Sequence, residues 1–165
     1  MQNGDTAAVF SGGLTRVAGE NVGAYAIGQG TLSAGSNYTI SYTGANLTIT
    51  PYTLSVTADA QGKTYGAADP ALTYTNGALQ NGDTAAVFPR TRTRAAGENV
   101  GAYAIVQGTL SAGSNYTISY TGANLTITPY TLSVTADAQG KTYGAADPAL
   151  TYTNGALQNG DTAAV

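Results

Sequence analysis

The sequence predicts a mainly β protein made of tandem small β modules, and three observations carry that prediction. The first is an internal repeat. Shifting the chain by 78 residues superimposes 2–79 on 80–157 with six mismatches, and QNGDTAAV opens a third copy at Gln158. The second is alternation: Tyr52, Leu54, Val56 and Ala58 alternate with Thr53, Ser55 and Thr57, which is the period of a half-buried strand. The third is composition, with 26 threonines and 12 tyrosines suited to strands and 22 glycines suited to turns. A 78-residue period exceeds the roughly 20 to 50 residues of solenoid repeats. A unit of that size can bury a small core of its own, so the expected arrangement is beads on a string in a rod.

The alternation also places the module frame. Leu47, Ile49 and Pro51 alternate with Thr48 and Thr50, and the phase changes between Pro51 and Tyr52, where proline cannot donate to a ladder. The expected modules are therefore 1–51, lacking its opening, 52–129, complete, and 130–165, an opening lacking the rest. Within the complete module the strands are expected at 52–59, 63–65, 71–75, 91–95, 101–106, 115–121 and 124–128. Asn76-Gly77 and Asn81-Gly82 supply residues tolerant of positive φ, while Gly66 to Pro70 and Ser111 to Ser114 interrupt strands. Asp83, at an N-cap position before Thr-Ala-Ala-Val and ahead of Pro89, predicts a single helical turn. Tyr116, Ile118 and Tyr120 share one strand face and Tyr103 and Ile105 another, and these are expected to supply most of the core.

Composition excludes whole classes of function. Histidine, cysteine and tryptophan are absent, so a Ser-His-Asp triad, a thiol nucleophile and a soft-metal site cannot be built, and no enzyme and no cofactor are expected. Nine acids against six bases leave a net charge of −3, which offers no footprint for nucleic acid or an anionic membrane. No apolar run approaches a membrane span, and MQNGDTAAVF lacks the pattern of a signal peptide. Either export is specified elsewhere or the chain is a piece of something longer.

The residues that invite a functional reading each have a plain alternative. Asn37, Asn46, Asn115 and Asn124 open Asn-x-Thr triplets that can accept a glycan, although Asn46 and Asn124, beside Gly44 and Gly122, read as turn residues. Asp59, Asp69, Asp83 and Glu98 would have to gather to hold calcium, but no Asp-x-Asp spacing supports this, and turn or cap roles account for Asp69 and Asp83. Lys63 and Lys141, the two lysines, are candidates for an intramolecular isopeptide crosslink, against the plain reading of exposed strand lysines with no acid assigned. Arg90, Arg92 and Arg94 fall on one strand face, as an anion patch or, more simply, as an edge guarded by charge. Because Arg92 replaces Leu14 of the first copy, it is expected to be more exposed than Leu14, or its strand to slip.

KTYGAADPALTY (63–74), GENVGAYAI (97–105), QGTLSAGSNYTISYTGANLTI (107–127) and the Gly-Asp-Thr at 82–84 resemble the MBG repeats of YGX type. Such repeats occur in tandem in large bacterial surface and secreted proteins. The resemblance covers the whole chain. It implies an extracellular or cell-surface β module, β-sandwich (immunoglobulin-like) or β-grasp-like, that serves as a spacer or stalk. Its partners would be itself or neighbouring repeats, joined head to tail by strand complementation into a filament. Because 130–165 matches 52–87 and 1–51 matches 79–129, tail and head together supply every position of one module. The alternative is a module that itself recognises a host glycan or protein, which would show aromatics on an exposed face instead of tyrosines alternating inward with threonine.

Overall fold

A computed structural model of the chain describes residues 4–88 and 93–162. Among them the regular structure is strand, apart from two single 3-10 turns at Ala7–Val9 and Ala85–Val87. The strands are β1 (Thr15–Arg16), β2 (Gly23–Gly28), β3 (Ala45–Ile49), β4 (Tyr52–Ala58), β5 (Gln61–Thr64) and β6 (Tyr74–Asn76). They continue as β7 (Thr93–Arg94), β8 (Gly101–Val106), β9 (Tyr116–Thr121), β10 (Ala123–Thr128), β11 (Val134–Ala136) and β12 (Tyr152–Asn154). They make several small sheets, ordered β1-β2-β3, β5-β10-β8-β7, β11-β12 and β6-β4-β9. The protein is therefore mainly β, as tandem β modules require.

Six of the seven expected strands appear within two residues of their expected ends, the one placed at 91–95 as Thr93–Arg94, with 91–92 outside the described residues. The one placed at 71–75 lies instead at Tyr74–Asn76, because its position is set by the ladder to β4, in which Asn76 faces Val56 and Tyr74 faces Ala58. Asn76 is thus a strand residue. Asn81-Gly82 does use the left-handed region, at φ of 54° and 77°. The expected helical turn is Ala85–Val87, so that Thr84 and not Asp83 immediately precedes it. In the first copy Thr6 caps the turn, its hydroxyl accepting from Ala8 N–H at 3.4 Å, while Asp5 and Asp83 each accept a tyrosine hydroxyl.

The chain divides into two compact units, one of Met1–Leu54, Leu79–Phe88 and Ser111–Ser119, the other of Ser55–Ala78, Pro89–Leu110 and Tyr120–Val165. The first holds the antiparallel sheet β1-β2-β3, with Thr15 opposite Gly28 and Leu47 opposite Tyr25. The second holds the mixed sheet around β10, which runs antiparallel to β8 and parallel to β5, so that Leu125 faces Tyr103 on one side and Gln61 on the other. Ala58, Ile105 and Leu125 form its core cluster, with Leu72, Tyr120 and Ala123 packed against it. Of the five side chains expected to supply most of the core, Ile105 and Tyr116 are buried, while Tyr103, Ile118 and Tyr120 are half-buried. The fully buried side chains, Leu54, Val56, Ile105, Leu125 and Ile127, are aliphatic. Tyr103 and Tyr120 stay half-buried, because a phenol hydroxyl needs a partner, found at the carbonyls of Asn99 and Ile105. Gly97 makes room for Tyr103: its φ is 143°, and a Cβ there would lie 2.1 Å from the ring.

Identical residues take different structures in the three copies. Residues 116–121 form β9, yet the matching 38–43 carry no strand; 61–64 form β5, yet 139–142 carry none. Of 130–136, the match to β4, only 134–136 is strand, and that part keeps its own partner, Val134 facing Asn154 as Val56 faces Asn76. Burial follows the same line. Leu54 and Leu125 are 0% exposed, whereas Leu132 and Leu47, the same positions of the repeat, are 39% and 41% exposed. A strand with no neighbour leaves its N–H and C=O groups unpaired, so its residues do not hold an extended ladder geometry.

Candidate functional site

The strongest concentration of chemistry is a cluster of four charges in the second unit. Lys63 stands on β5, Asp69 in the Gly66 to Pro70 turn that follows, Arg94 on the edge strand β7, and Glu98 four residues on. The Lys63 ammonium donates to Asp69 at 2.7 Å and to Glu98. Arg94 holds Asp69 in a two-pronged contact, Nε at 2.6 Å and Nη2 at 3.0 Å, and also pairs with Glu98. Its remaining donors reach the carbonyls of Ala95 and Gly97, and its guanidinium lies 5.5 Å from the Tyr103 ring centre. The hydrogen bonds from Arg94 and then Lys63 bring the Asp69 carboxyl down to about 2. Those from Lys63 and Arg94 lower Glu98, and the bonds to Asp69 and Glu98 raise Lys63 and Arg94.

The three copies hold this cluster in parts. The first has the arginine half, Arg16 paired with Glu20 and 5.6 Å from the Tyr25 ring, and the third has the lysine half, Lys141 paired with Asp147. The halves are looser than the whole: the Lys141 side chain is 47% exposed against 5% for Lys63, and Arg16 33% against 10% for Arg94.

These contacts bear on the candidate residues. Lys63 is not an exposed strand lysine, and acids are in reach for it. The hydrogen bonds of the cluster favour the charged forms of Lys63, Asp69 and Glu98, whereas amide formation draws on a neutral amine. Asp69 and Glu98 come together through two cations, and among the described residues no three acids gather so as to hold a metal ion. Arg94 does lie on an edge strand, but its side chain is folded into the cluster instead of guarding the edge. Arg90 and Arg92 lie outside the described residues. Leu14, against which Arg92 was weighed, is itself 53% exposed, so it does not pack inward.

The asparagines part company. Asn46 and Asn124 are strand residues, opposite Ala26 and Ala104, and not turn residues as expected; Asn37 is exposed in a turn. Asn115 is a clamp within the first unit. Its Oδ1 accepts from Val22 N–H, its Nδ2 donates to Asn21 Oδ1 and its carbonyl accepts from Tyr52 N–H, each at 2.9 Å. Beside it the Tyr116 hydroxyl donates to Asp83 at 2.7 Å and accepts from Gln80 N–H at 2.9 Å, and its ring meets Tyr52 edge-on at 6.2 Å. Burial and the Asp83 carboxylate raise the Tyr116 hydroxyl above its usual range. Sequence reasoning weighed Asn115 only as one of four possible glycan acceptors and did not find the clamp; the available signal was that Ser-Asn-Tyr recurs unchanged in both copies.

A model of the family described as MBG domain (YGX type) matches residues 1–48, 54–126 and 132–165. No curated protein and no solved structure matches the chain.

Proposed function

The chain belongs to the family of MBG domains of YGX type, and from that premise we propose that it is a structural repeat of an extracellular bacterial adhesin, stalk or filament. In this reading it acts as a spacer, and adjoining repeats complete one another by strand complementation. The observation that carries the reading is the one made on identical residues. Segments 38–43, 130–133 and 139–142 lack strand, while the same sequences at 116–121, 52–55 and 61–64 have it. Each repeat thus needs strands from both sides of its frame. The divided charge cluster fits the same logic, since Lys141 and Asp147 are the half that Arg16 and Glu20 lack. The absence, among the described residues, of a helix long and apolar enough to cross a membrane is compatible with this role.

The test is a series of chains carrying increasing numbers of the 78-residue repeat. A spacer is expected to lengthen by a constant increment of about 30 to 50 Å per repeat in small-angle scattering, a strand of eight to ten residues alone spanning roughly 26 to 33 Å. Maximum dimensions that stay flat as repeats are added would reject the spacer. Reproducible binding of a two-repeat chain to one class on a glycan array would favour recognition instead.

A further inference from the structure

The Asn115 clamp has a counterpart within the second unit. There, a cavity of about 370 Å³ is lined by Asn99, Val100, Pro129, Tyr130, Gln158 and Asp161, among others. Shifted by the repeat period, these are Asn21, Val22, Pro51, Tyr52, Gln80 and Asp83. Val22, Tyr52, Gln80 and Asp83 line the first site, and Asn21 bonds within it, but there Asn115 and Tyr116 fill the middle. Val100 is correspondingly 54% exposed, where Val22 is half-buried. The chain carries one other copy of that dipeptide, Asn37-Tyr38, and Asn37 is exposed.

We propose that this cavity is a docking site for Asn37 and Tyr38 of a second copy of the chain. The inference rests on the spacer reading and gives its head-to-tail contact an atomic form. By the pattern of the first site, Asn37 Oδ1 accepts from Val100 N–H, its Nδ2 donates to Asn99 Oδ1, and its carbonyl accepts from Tyr130 N–H. The incoming Tyr38 ring meets Tyr130 edge-on, and its hydroxyl accepts from Gln158 N–H and donates to Asp161. Within its own copy Tyr38 donates to Asp5, so Asp161, the same position of the repeat, replaces Asp5 on docking. Asp161 already accepts from the Tyr65 hydroxyl at 2.9 Å, and a carboxylate with two oxygens takes both. A contact between the head of one copy and the tail of another is heterologous, so it propagates from copy to copy unless their rotation closes a ring.

Sedimentation of the whole chain over a concentration series tests this. Reversible association is expected, weakened about tenfold by Asn37→Ala through the loss of two side-chain hydrogen bonds. Asn99→Ala is expected to weaken it less, and Asn37→Ala combined with Asn99→Ala little more than Asn37→Ala alone, since the Asn37–Asn99 bond is lost in each. Circular dichroism of each variant checks that the fold is retained. Because the chain has no cysteine, Asn37→Cys with Asn99→Cys should yield a ladder of disulfide-linked chains on oxidation. A chain that stays monomeric at every concentration, or association indifferent to both alanine variants, would overturn the docking site. Either result leaves the spacer reading to be judged by the length series.

Discussion

Arg94 shows what a single residue does when its surroundings are complete. Arginine and lysine between two carboxylates tie the turn after β5 to the edge strand β7, and the depressed Asp69 and Glu98 state the pH range in which that tie works. Their folded forms hold the charged state more strongly than the unfolded chain does. The contribution is therefore complete above about pH 4.5, where unfolded carboxylates are ionised too, and is lost as pH falls toward 2. Urea midpoints measured from pH 6 down to 2.5 should fall over that window, and Arg94→Met should flatten the fall. The same substitution at Arg16, which lacks the lysine half, should lower the midpoint at pH 6 less than Arg94→Met does. Glycine offers a second comparison between copies. Gly66 and Gly144 share a φ of 84°, but a Cβ on Gly66 would lie 2.6 Å from Gln158, whereas nothing lies within 4 Å of one on Gly144. Gly144→Ala should cost about 1 kcal/mol through backbone strain alone, and Gly66→Ala more, read as the difference in denaturation free energy.

At the scale of the element, β4 and β9 behave as strands because each has a neighbour, not because of propensity. Leu54→Ala should cost about 3 kcal/mol, as a large-to-small change in a core does, while Leu132→Ala, the same residue of the repeat, should cost less than about 1 kcal/mol. Hydrogen exchange should report the same division without mutation. The amides of 116–121 should be protected and those of 38–43 should exchange quickly, and equal protection of the two would show that neighbours do not decide strand formation. The strands themselves were legible from alternation at β4, β8, β9 and β10, where apolar residues point one way along a whole strand. They were less legible at β6, where three residues carry too short a pattern and the ladder to Val56 sets the register. The parallel pairing of β5 with β10 could not be read, since nothing local records a partner sixty residues away.

For the whole molecule, the copies make an internal control. The first and third copies repeat residues of 52–129 in different surroundings, and Leu47, Leu132 and Lys141 are more exposed than Leu125, Leu54 and Lys63. Extending the chain by one further repeat should bring Leu132 into the condition of Leu54. The cost of Leu132→Ala should then rise from that of a surface change to about 3 kcal/mol, measured by urea denaturation of the longer chain. Near-identical neighbours also offer each other's pairing edges, so misassembly by strand exchange should slow refolding as repeats are added.

The sequence by itself determined the period, the β character, the phase change at Pro51 and Tyr52 and most strand positions, because these depend on residue type and spacing along the chain. It also carried the family in KTYGAADPALTY, GENVGAYAI and the Ser-Asn-Tyr segment. The tertiary structure decided which of several identical segments becomes a strand, how Asp69 reaches Arg94 across 25 residues, and what Asn115 clamps. The reason is physical: a ladder, an ion cluster and a buried side chain each require a partner distant in sequence, and identical residues given different partners settle into different states.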